Sequence, residues 1–416
     1  MTNFDQQLTT YAQLIVRTGL NLQPGQRLLI NTKGSTLSLA PLIRRVATQA
    51  YEMGAYFVDV IWADEELERI RYQNAPKESF SEYPDWRFRG ALDFAKRGDA
   101  MLTILAANPD ALSGVDAQLI TQTENILAHH RGPLRQETGK GRVNWCVAAA
   151  PAPGWASKVF PAIDDREQRI NQLWQAIFDI CRLSASDPLA AWERHISNLV
   201  TRRQYLTDKG YDLLHFTGPG TDLKLGLPAG HIWQGGRSLT QQGTHYTPNL
   251  PTEEVFSLPD RSRADGHVTT TKPLSLMGNL IPKFTLTFKD GGVTKVSADQ
   301  GQNFLEKLIS TDDGARHLGE VALVPHSSPI SQSGLLFYNT LFDENAASHV
   351  ALGNAYKMCL EGGIHMDDEQ FAAVGGNNSL IHVDFMLGSG DINVDGITPD
   401  GTTEPIMRDG EWAFDV

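Results

Sequence analysis

The hydrophobic pattern of this chain changes period near residue 200, and that change restricts the fold more than any other feature. Before it, short apolar runs alternate with segments of helical spacing. Arg27–Asn31 (RLLIN), bounded by PGQ and TKGS, reads as a buried strand. LSLAPLIRRVATQAYEMGA follows at helical spacing and stops at Gly54, a residue suited to end a helix. Tyr56–Trp62 (YFVDVIW) is the next strand. A strand, a helix and a strand in that order predict a parallel pair, because parallel strands need a crossover and a helix supplies it. Ala100–Leu105 and Val143–Ala150 extend the series. Leu8, Tyr11, Ala12 and Ile15 mark an amphipathic N-terminal helix. Asp164–Leu183 marks another, opened by two acids that suit the positive end of a helix dipole. Residues 1–200 are therefore expected to form an α/β layered domain, its boundary falling within 185–210 after the turn-rich Ser184–Pro188.

After that point the period becomes two. In Phe284–Ala298, Asp290-Gly291-Gly292 joins two alternating runs into a hairpin, and Asp212–Leu227 is a second hairpin candidate. A helix near Gln302–Ile309 interrupts the pattern. Residues 201–416 are expected to be a mixed, mainly antiparallel β domain of the α+β kind.

Composition removes several function classes. The 36 basic residues against 49 acidic ones leave a net charge of −13 over 416 residues, with a pI near 5.4. Nucleic acid and anionic membranes need a concentrated basic field, so neither is an expected partner. No apolar stretch approaches the roughly 20 residues of a membrane span. Cys146, Cys181 and Cys359 are too few and too scattered for a disulfide scaffold or a CxxC metal site, which fits a reducing, cytoplasmic setting. There is no GxxxxGK[ST], GxSxG or HExxH, and TGPGTDLKLG lacks the GxGxxG spacing and sits in a hairpin. Cys146, inside an apolar run, reads as a packed thiol rather than a nucleophile.

Acids and histidines carry the remaining chemistry. Nine of the 12 histidines lie in the second half. In LIHVDFMLG, His382 and Asp384 stand at i and i+2 of a strand and so face one side. Imidazole with carboxylate is a good pair for a borderline divalent cation, although a satisfied core or surface pair is the plainer reading of HxD alone. Glu320 opens the run EVALVP, where it is either an exposed strand-end acid or a group needing a partner. Glu253 and Glu254 adjoin in NLPTEEVFSLPD, and the spacing does not say which is solvated. Glu344 and His349 fall on a polar turn in FDENAASHVALGNAY, with Tyr356 seven residues after His349. Those seven residues would be two turns of a helix face, a reading that Gly353 weakens, or an irregular loop. Jointly, Glu254, Glu320, Glu344, His349, His382 and Asp384 exceed what one tetrahedral ion needs and suit two adjacent ions sharing a carboxylate, about 3.5–4 Å apart.

The runs NLPTEEVFSLPD, LGEVALVPHSSPI, LFDENAASHVALGNAY and NNSLIHVDFMLGS resemble the metallo-aminopeptidases of peptidase family M29, the aminopeptidase T and aminopeptidase S group. The likeness in length and order covers essentially the whole chain, and its specific wording lies in these four segments. It implies a two-domain α/β build, a homodimer, a pair of divalent metals (Zn, Co, Mn or Mg) and peptide substrates with a free N-terminus. It implies Glu254, Glu320, Glu344, His349, His382 and Asp384 as metal-site residues, with Glu320 bridging, and Tyr356 as an aid to catalysis. The implied activity is hydrolysis of N-terminal residues by a water activated at a dinuclear centre. The alternatives are a metal-stabilised binding protein without turnover and a dinuclear hydrolase of other amides or esters.

Overall fold

The computed structural model describes residues 3–34, 36–276 and 279–416 and shows a mixed α/β protein. Its residues group into two compact units. The first holds 1–194, 237–251 and 336–339, and the second holds 195–236, 252–335 and 340–416.

In the first unit, strands β1 (Arg27–Gly34), β2 (Phe57–Ile61), β3 (Ala100–Ala106) and β4 (Trp145–Ala149) form a parallel sheet in the order β2-β1-β3-β4. Helix Thr36–Glu52 makes the β1 to β2 crossover, as the alternation of the sequence requires. Leu28, Leu29 and Ile30 are buried, as are Leu39, Leu42, Ile43, Val46 and Ala50 of the helix. Helix Asn3–Leu14 buries Leu8, Tyr11 and Ala12, one face of its expected stripe. Helix Arg166–Ile180 starts at Asp165, whose carboxylate accepts the Gln168 N–H at 2.6 Å. Cys146 is buried in this unit, and desolvation holds its thiol well above the usual range, as suits a packed rather than a reactive sulfur.

Among the described residues, the second unit contains two larger antiparallel sheets and a two-stranded ribbon of Leu274–Leu276 with Asn279–Ile281. Strands β5 (Leu213–Gly218), β6 (Thr221–Gly226), β7 (Val255–Ser257), β8 (Ala264–Thr269), β9 (Phe284–Lys289) and β10 (Gly292–Ala298) come first. They are followed by β11 (Leu318–Leu323), β12 (His349–Gly353), β13 (His382–Met386), β14 (Asn393–Ile397), β15 (Thr403–Arg408) and β16 (Glu411–Trp412). The larger sheet runs β10-β9-β8-β6-β5-β14-β15-β16 and the smaller β13-β12-β11-β7. The β9–β10 turn holds Asp290 at φ 50° and Gly291 at φ 82°, the two positive angles of a tight type I′ hairpin. No described helix is long and apolar enough to cross a membrane.

Two expectations change here. His349 heads strand β12 and Tyr356 lies three residues beyond its end, so the two do not share a helix face. The register explains why: Val350 and Leu352 point into the core while His349, Ala351 and Gly353 point the other way, a period of two. Glu320 is the third residue of β11 rather than its first, and it is buried, so the exposed strand-end reading fails.

Close backbone approach shapes the smaller sheet. A bulge at Gly319 shifts the β11–β12 register between Leu318 and Glu320, and a Cβ at residue 319 would lie 2.2 Å from the Gly353 carbonyl oxygen. Gly353 itself has φ 104°, and a Cβ there would lie 2.2 Å from the Ile381 carbonyl oxygen. Gly401 has a comparable φ of 88° with nothing within 4 Å. Gly401→Ala is therefore expected to cost about 1 kcal/mol from backbone strain alone, and Gly353→Ala about 3 kcal/mol or more from strain plus clash. Melting temperatures of the two variants check this, and equal losses would refute the steric account.

Candidate metal centre

The smaller sheet separates two chemistries by alternation. Val255, Val321, Leu323, Val350, Leu352, Val383 and Phe385 enter one hydrophobic cluster from one face. The residues between them face the other way. Cross-strand register aligns Glu320, Ala351 and Asp384 in one row, Phe256, Ala322, His349 and Met386 in the next, and Gly353 with His382. Directly opposed residues share a face, so Glu320, His349, His382 and Asp384 all emerge on one side. Glu254 stands two residues before Phe256, just outside β7, and joins them. Ala322, Ala351 and Gly353 intervene in the central strands, and their side chains are too small to separate the acids from the imidazoles.

The distances bring five of the expected residues together. His349 Nε2 lies 3.3 Å from Glu254 Oε2 and 3.4 Å from Glu320 Oε1. His382 Nε2 lies 3.6 Å from Glu320 Oε2 and 3.4 Å from Asp384 Oδ1. Potential ligand atoms of Glu254, Glu320 and His349 all fall within 4.8 Å of one another, as do those of Glu320, His382 and Asp384. Glu320 belongs to both groups and offers one oxygen to each. Glu344, on a short 3-10 turn (Glu344–Ala346), is half-buried in the field of Glu254, Asp384, His349 and Glu320, but outside both close groups. The Tyr356 ring packs 4.9 Å from the His382 ring and 6.1 Å from Phe256. Of the adjacent acids, Glu253 turns away: its carboxylate lies 3.6 Å from His195 Nε2.

Backbone carbonyls set both imidazoles. His349 Nδ1 lies 3.1 Å from the Ala347 oxygen and His382 Nδ1 2.7 Å from the Asn354 oxygen. A carbonyl only accepts, so each Nδ1 carries a proton and Nε2 is the nitrogen that faces the carboxylates. With both rings neutral, the Nε2 lone pairs would face carboxylate lone pairs. Glu254 Oε2 and Asp384 Oδ1 are buried without a hydrogen-bond partner among the described residues. Carboxylate oxygens and imidazole Nε2 atoms converging in this way fit a divalent cation.

Without such a cation, protons supply the missing positive charge. Burial pushes the Glu254 carboxyl up to about 8, and burial with the Glu254 charge raises Glu344. Burial alone would lower His349, but its bond to Glu320 and the charges of Glu254 and Asp384 outweigh it and lift the ring to about 10. His382 rises to about 9 for the same reason, against burial, through Asp384 and Glu320. Asp384 stays low because the His382 contact overcomes its burial.

Sequence reasoning passed over Asn345. Its amide is fully buried; Oδ1 accepts the Glu253 N–H at 2.7 Å, while Nδ2 donates to the Leu341 oxygen at 3.2 Å and to Glu344 Oε1 at 3.4 Å. It ties the Glu254 segment to the Glu344 turn, and an Asn within a polar run carries no local mark of that role.

Cation and protons compete for the same lone pairs, so affinity should rise with pH up to about 10, as Glu254 (about 8), His382 (about 9) and His349 (about 10) give up their protons, and level off above it. Loading Zn²⁺ or Co²⁺ near neutral pH is expected to release more than one proton per chain. Calorimetry in two buffers of different ionisation enthalpy measures that number, and zero release would contradict the assignment.

Comparisons with known proteins agree with this site chemistry. The family model described as thermophilic metalloprotease (M29) matches residues 4–412. The chain is 47% identical to Aminopeptidase 2 of Geobacillus stearothermophilus over 416 residues, covering 100% of both chains. It is 44% identical to Aminopeptidase AmpS of Bacillus subtilis, again covering 100% of both. Among solved structures it is similar to wild-type AmpT from Thermus thermophilus, with a TM-score of 0.93, 41% identity and coverage of 99% of this chain and 100% of that one. Sheet face, donor set and full-length similarity converge on one conclusion: the chain is a metallopeptidase of family M29.

Proposed function

We propose that this chain is an aminopeptidase that removes N-terminal residues from peptides, using two divalent ions held by Glu254, Glu320, Glu344, His349, His382 and Asp384. The observation that carries the reading is the pair of overlapping ligand groups sharing Glu320 on one sheet face. Family membership and the aminopeptidase names of the relatives support the substrate class. When bound, the ions supply an acidified water and a Lewis acid for the scissile carbonyl.

The protein's own residues do the rest. The two Glu320 oxygens point toward different histidines, a geometry suited to holding two charges at once. The Nδ1 bonds of His349 and His382 fix the tautomer that leaves Nε2 free to ligate. Tyr356 is 42% exposed, but desolvation of its hydroxyl and the charges of Glu320 and Asp384 raise the phenol above its ordinary pKa, so it stays a hydrogen-bond donor. Placed against His382, its hydroxyl would donate to the oxyanion that develops at the scissile carbonyl. The acid-rich face also attracts the α-ammonium group of a free N-terminus, which restricts cleavage to the chain end. The reading extends to a homodimer in the cytoplasm, and to Zn, Co, Mn or Mg as the ion, because carboxylate and imidazole donors accept each of them.

Release of free amino acid from a leucine-headed peptide tests the proposal. Expected are activity with the free peptide, loss on chelation, restoration by Zn²⁺, Co²⁺ or Mn²⁺, and none with the N-acetylated peptide. Glu320→Ala should abolish both turnover and metal retention. Tyr356→Phe should keep the metal and lower kcat by roughly 100- to 1,000-fold, the range for loss of an oxyanion donor. No turnover with any metal, together with a chelator-induced fall in melting temperature, would leave only a structural role for the ions.

A further inference from the structure

Unlike Glu320, His349, His382 and Asp384, Glu254 stands outside a paired strand: β7 begins at Val255 and pairs with β11 from that residue on. Thr252, Glu253 and Glu254 are all buried. Buried backbone groups need hydrogen-bond partners, and no sheet ladder supplies them here. The peptide group that joins Thr252 to Glu253 finds them in two side chains. Its carbonyl oxygen lies 2.7 Å from His195 Nε2, and its N–H donates to Asn345 Oδ1 at 2.7 Å. Carbonyl and N–H point to opposite sides of a planar trans unit. One peptide plane is thus held from both sides, immediately ahead of Glu254.

His195 supplies the first of these bonds. A carbonyl only accepts, so Nε2 carries a hydrogen and donates it to Thr252. The Glu253 carboxylate is 3.6 Å from the same nitrogen, too far for a hydrogen bond, so the carbonyl is the acceptor that sets the ring. His195 belongs to helix Pro188–Lys209. Leu199, four residues on and so on the same helix face, enters the hydrophobic cluster that also holds Leu206 and Val255 of β7. The helix and β7 therefore share one core, and His195 ties that helix to the residues leading into the strand. Asn345 completes the other side, its amide donating to the Leu341 oxygen and to Glu344 Oε1.

We propose that His195 is a positioning residue of the metal centre: by holding the Thr252 carbonyl, opposite Asn345 on the Glu253 N–H, it fixes the peptide plane that aims the Glu254 carboxylate at His349. The inference rests on the reading of Glu254 as a metal ligand given above. A tilt of this plane is carried through Glu253 to the Glu254 side chain, and metal–ligand distances tolerate only about 0.2 Å. Because Glu254 groups with Glu320 and His349 and not with His382 and Asp384, the effect falls on one ion of the pair. The competing role for His195, neutralising the Glu253 charge, would need a positive side chain at residue 195, whereas holding a carbonyl needs only a donor.

Transfer of Co²⁺ from the full-length, cobalt-loaded protein to a chelator of known affinity, followed by the absorption of bound cobalt, tests the assignment. Glu254→Ala identifies the release step that depends on Glu254. His195→Phe, which keeps a ring but has no donor, is expected to weaken that step about 10- to 100-fold and leave the other unchanged, the range for loss of a group that orients a ligand. His195→Gln, whose uncharged amide donates in place of Nε2, should hold cobalt within about threefold of wild type. The proposal is overturned by cobalt release unchanged in His195→Phe, by equal weakening of both steps, or by His195→Gln behaving as His195→Phe does. Should His195→Phe fail to fold, His195→Leu takes its place, and unfolding of both would make His195 a structural residue and overturn the proposal as well. If wild type holds a single ion per chain, the two-ion reading falls, and the comparison of His195→Phe with His195→Gln decides on that ion. No peptide turnover enters the measurement, so its outcome is separate from that of the aminopeptidase reading.

Discussion

The carboxylates of Glu254, Glu320 and Asp384 and the Nε2 atoms of His349 and His382 converge on one face of a four-stranded sheet. Removing a carboxylate from water costs several kcal/mol even after relaxation, and neighbouring like charges add to it. The sheet tolerates this because the same strands bury Val321, Leu323, Val350, Leu352, Val383 and Phe385 on their other face. Each such side chain contributes roughly 1.5–3 kcal/mol when fully buried, and slipping the register by one residue would exchange the two faces. The hydrophobic core thus holds the acids where they repel one another, and a cation relieves that repulsion.

Fine placement rests on small features around that face. Gly319 and Gly353 let backbones approach more closely than any side chain permits, and the bulge at Gly319 sets Glu320 opposite Ala351 and Asp384. Ala351 and Ala322 keep the centre open. The Ala347 and Asn354 carbonyls choose the imidazole tautomers, and Asn345 pins the Glu254 segment to the Glu344 turn. None of these groups need touch a substrate, yet each controls where a reactive atom sits.

Much of the framework was legible in the residues. Leu8, Tyr11 and Ala12 share a buried helix face, RLLIN is a buried strand, and Asp290-Gly291 closes a hairpin. These follow from local rules of spacing, polarity and positive φ. The His349 to Tyr356 interval was ambiguous because seven residues fit two helical turns as well as a strand and a loop, and only pairing with β11 and β13 selects the strand. Glu253 and Glu254 were equally ambiguous, since their separation into a His195 contact and a His349 contact depends on which side of the strand each faces.

By itself, the sequence determined the period of each segment and the supply of acids and imidazoles in the second half. Those are properties of composition and near-neighbour order, where propensity and alternation act over a few residues. The tertiary structure alone decided which acids meet, which oxygen faces which nitrogen and which lone pairs stay unsatisfied. Those outcomes depend on register between strands far apart in the chain: Glu254, Glu320, His349 and Asp384 come from segments separated by dozens of residues, and only cross-strand hydrogen bonding aligns them.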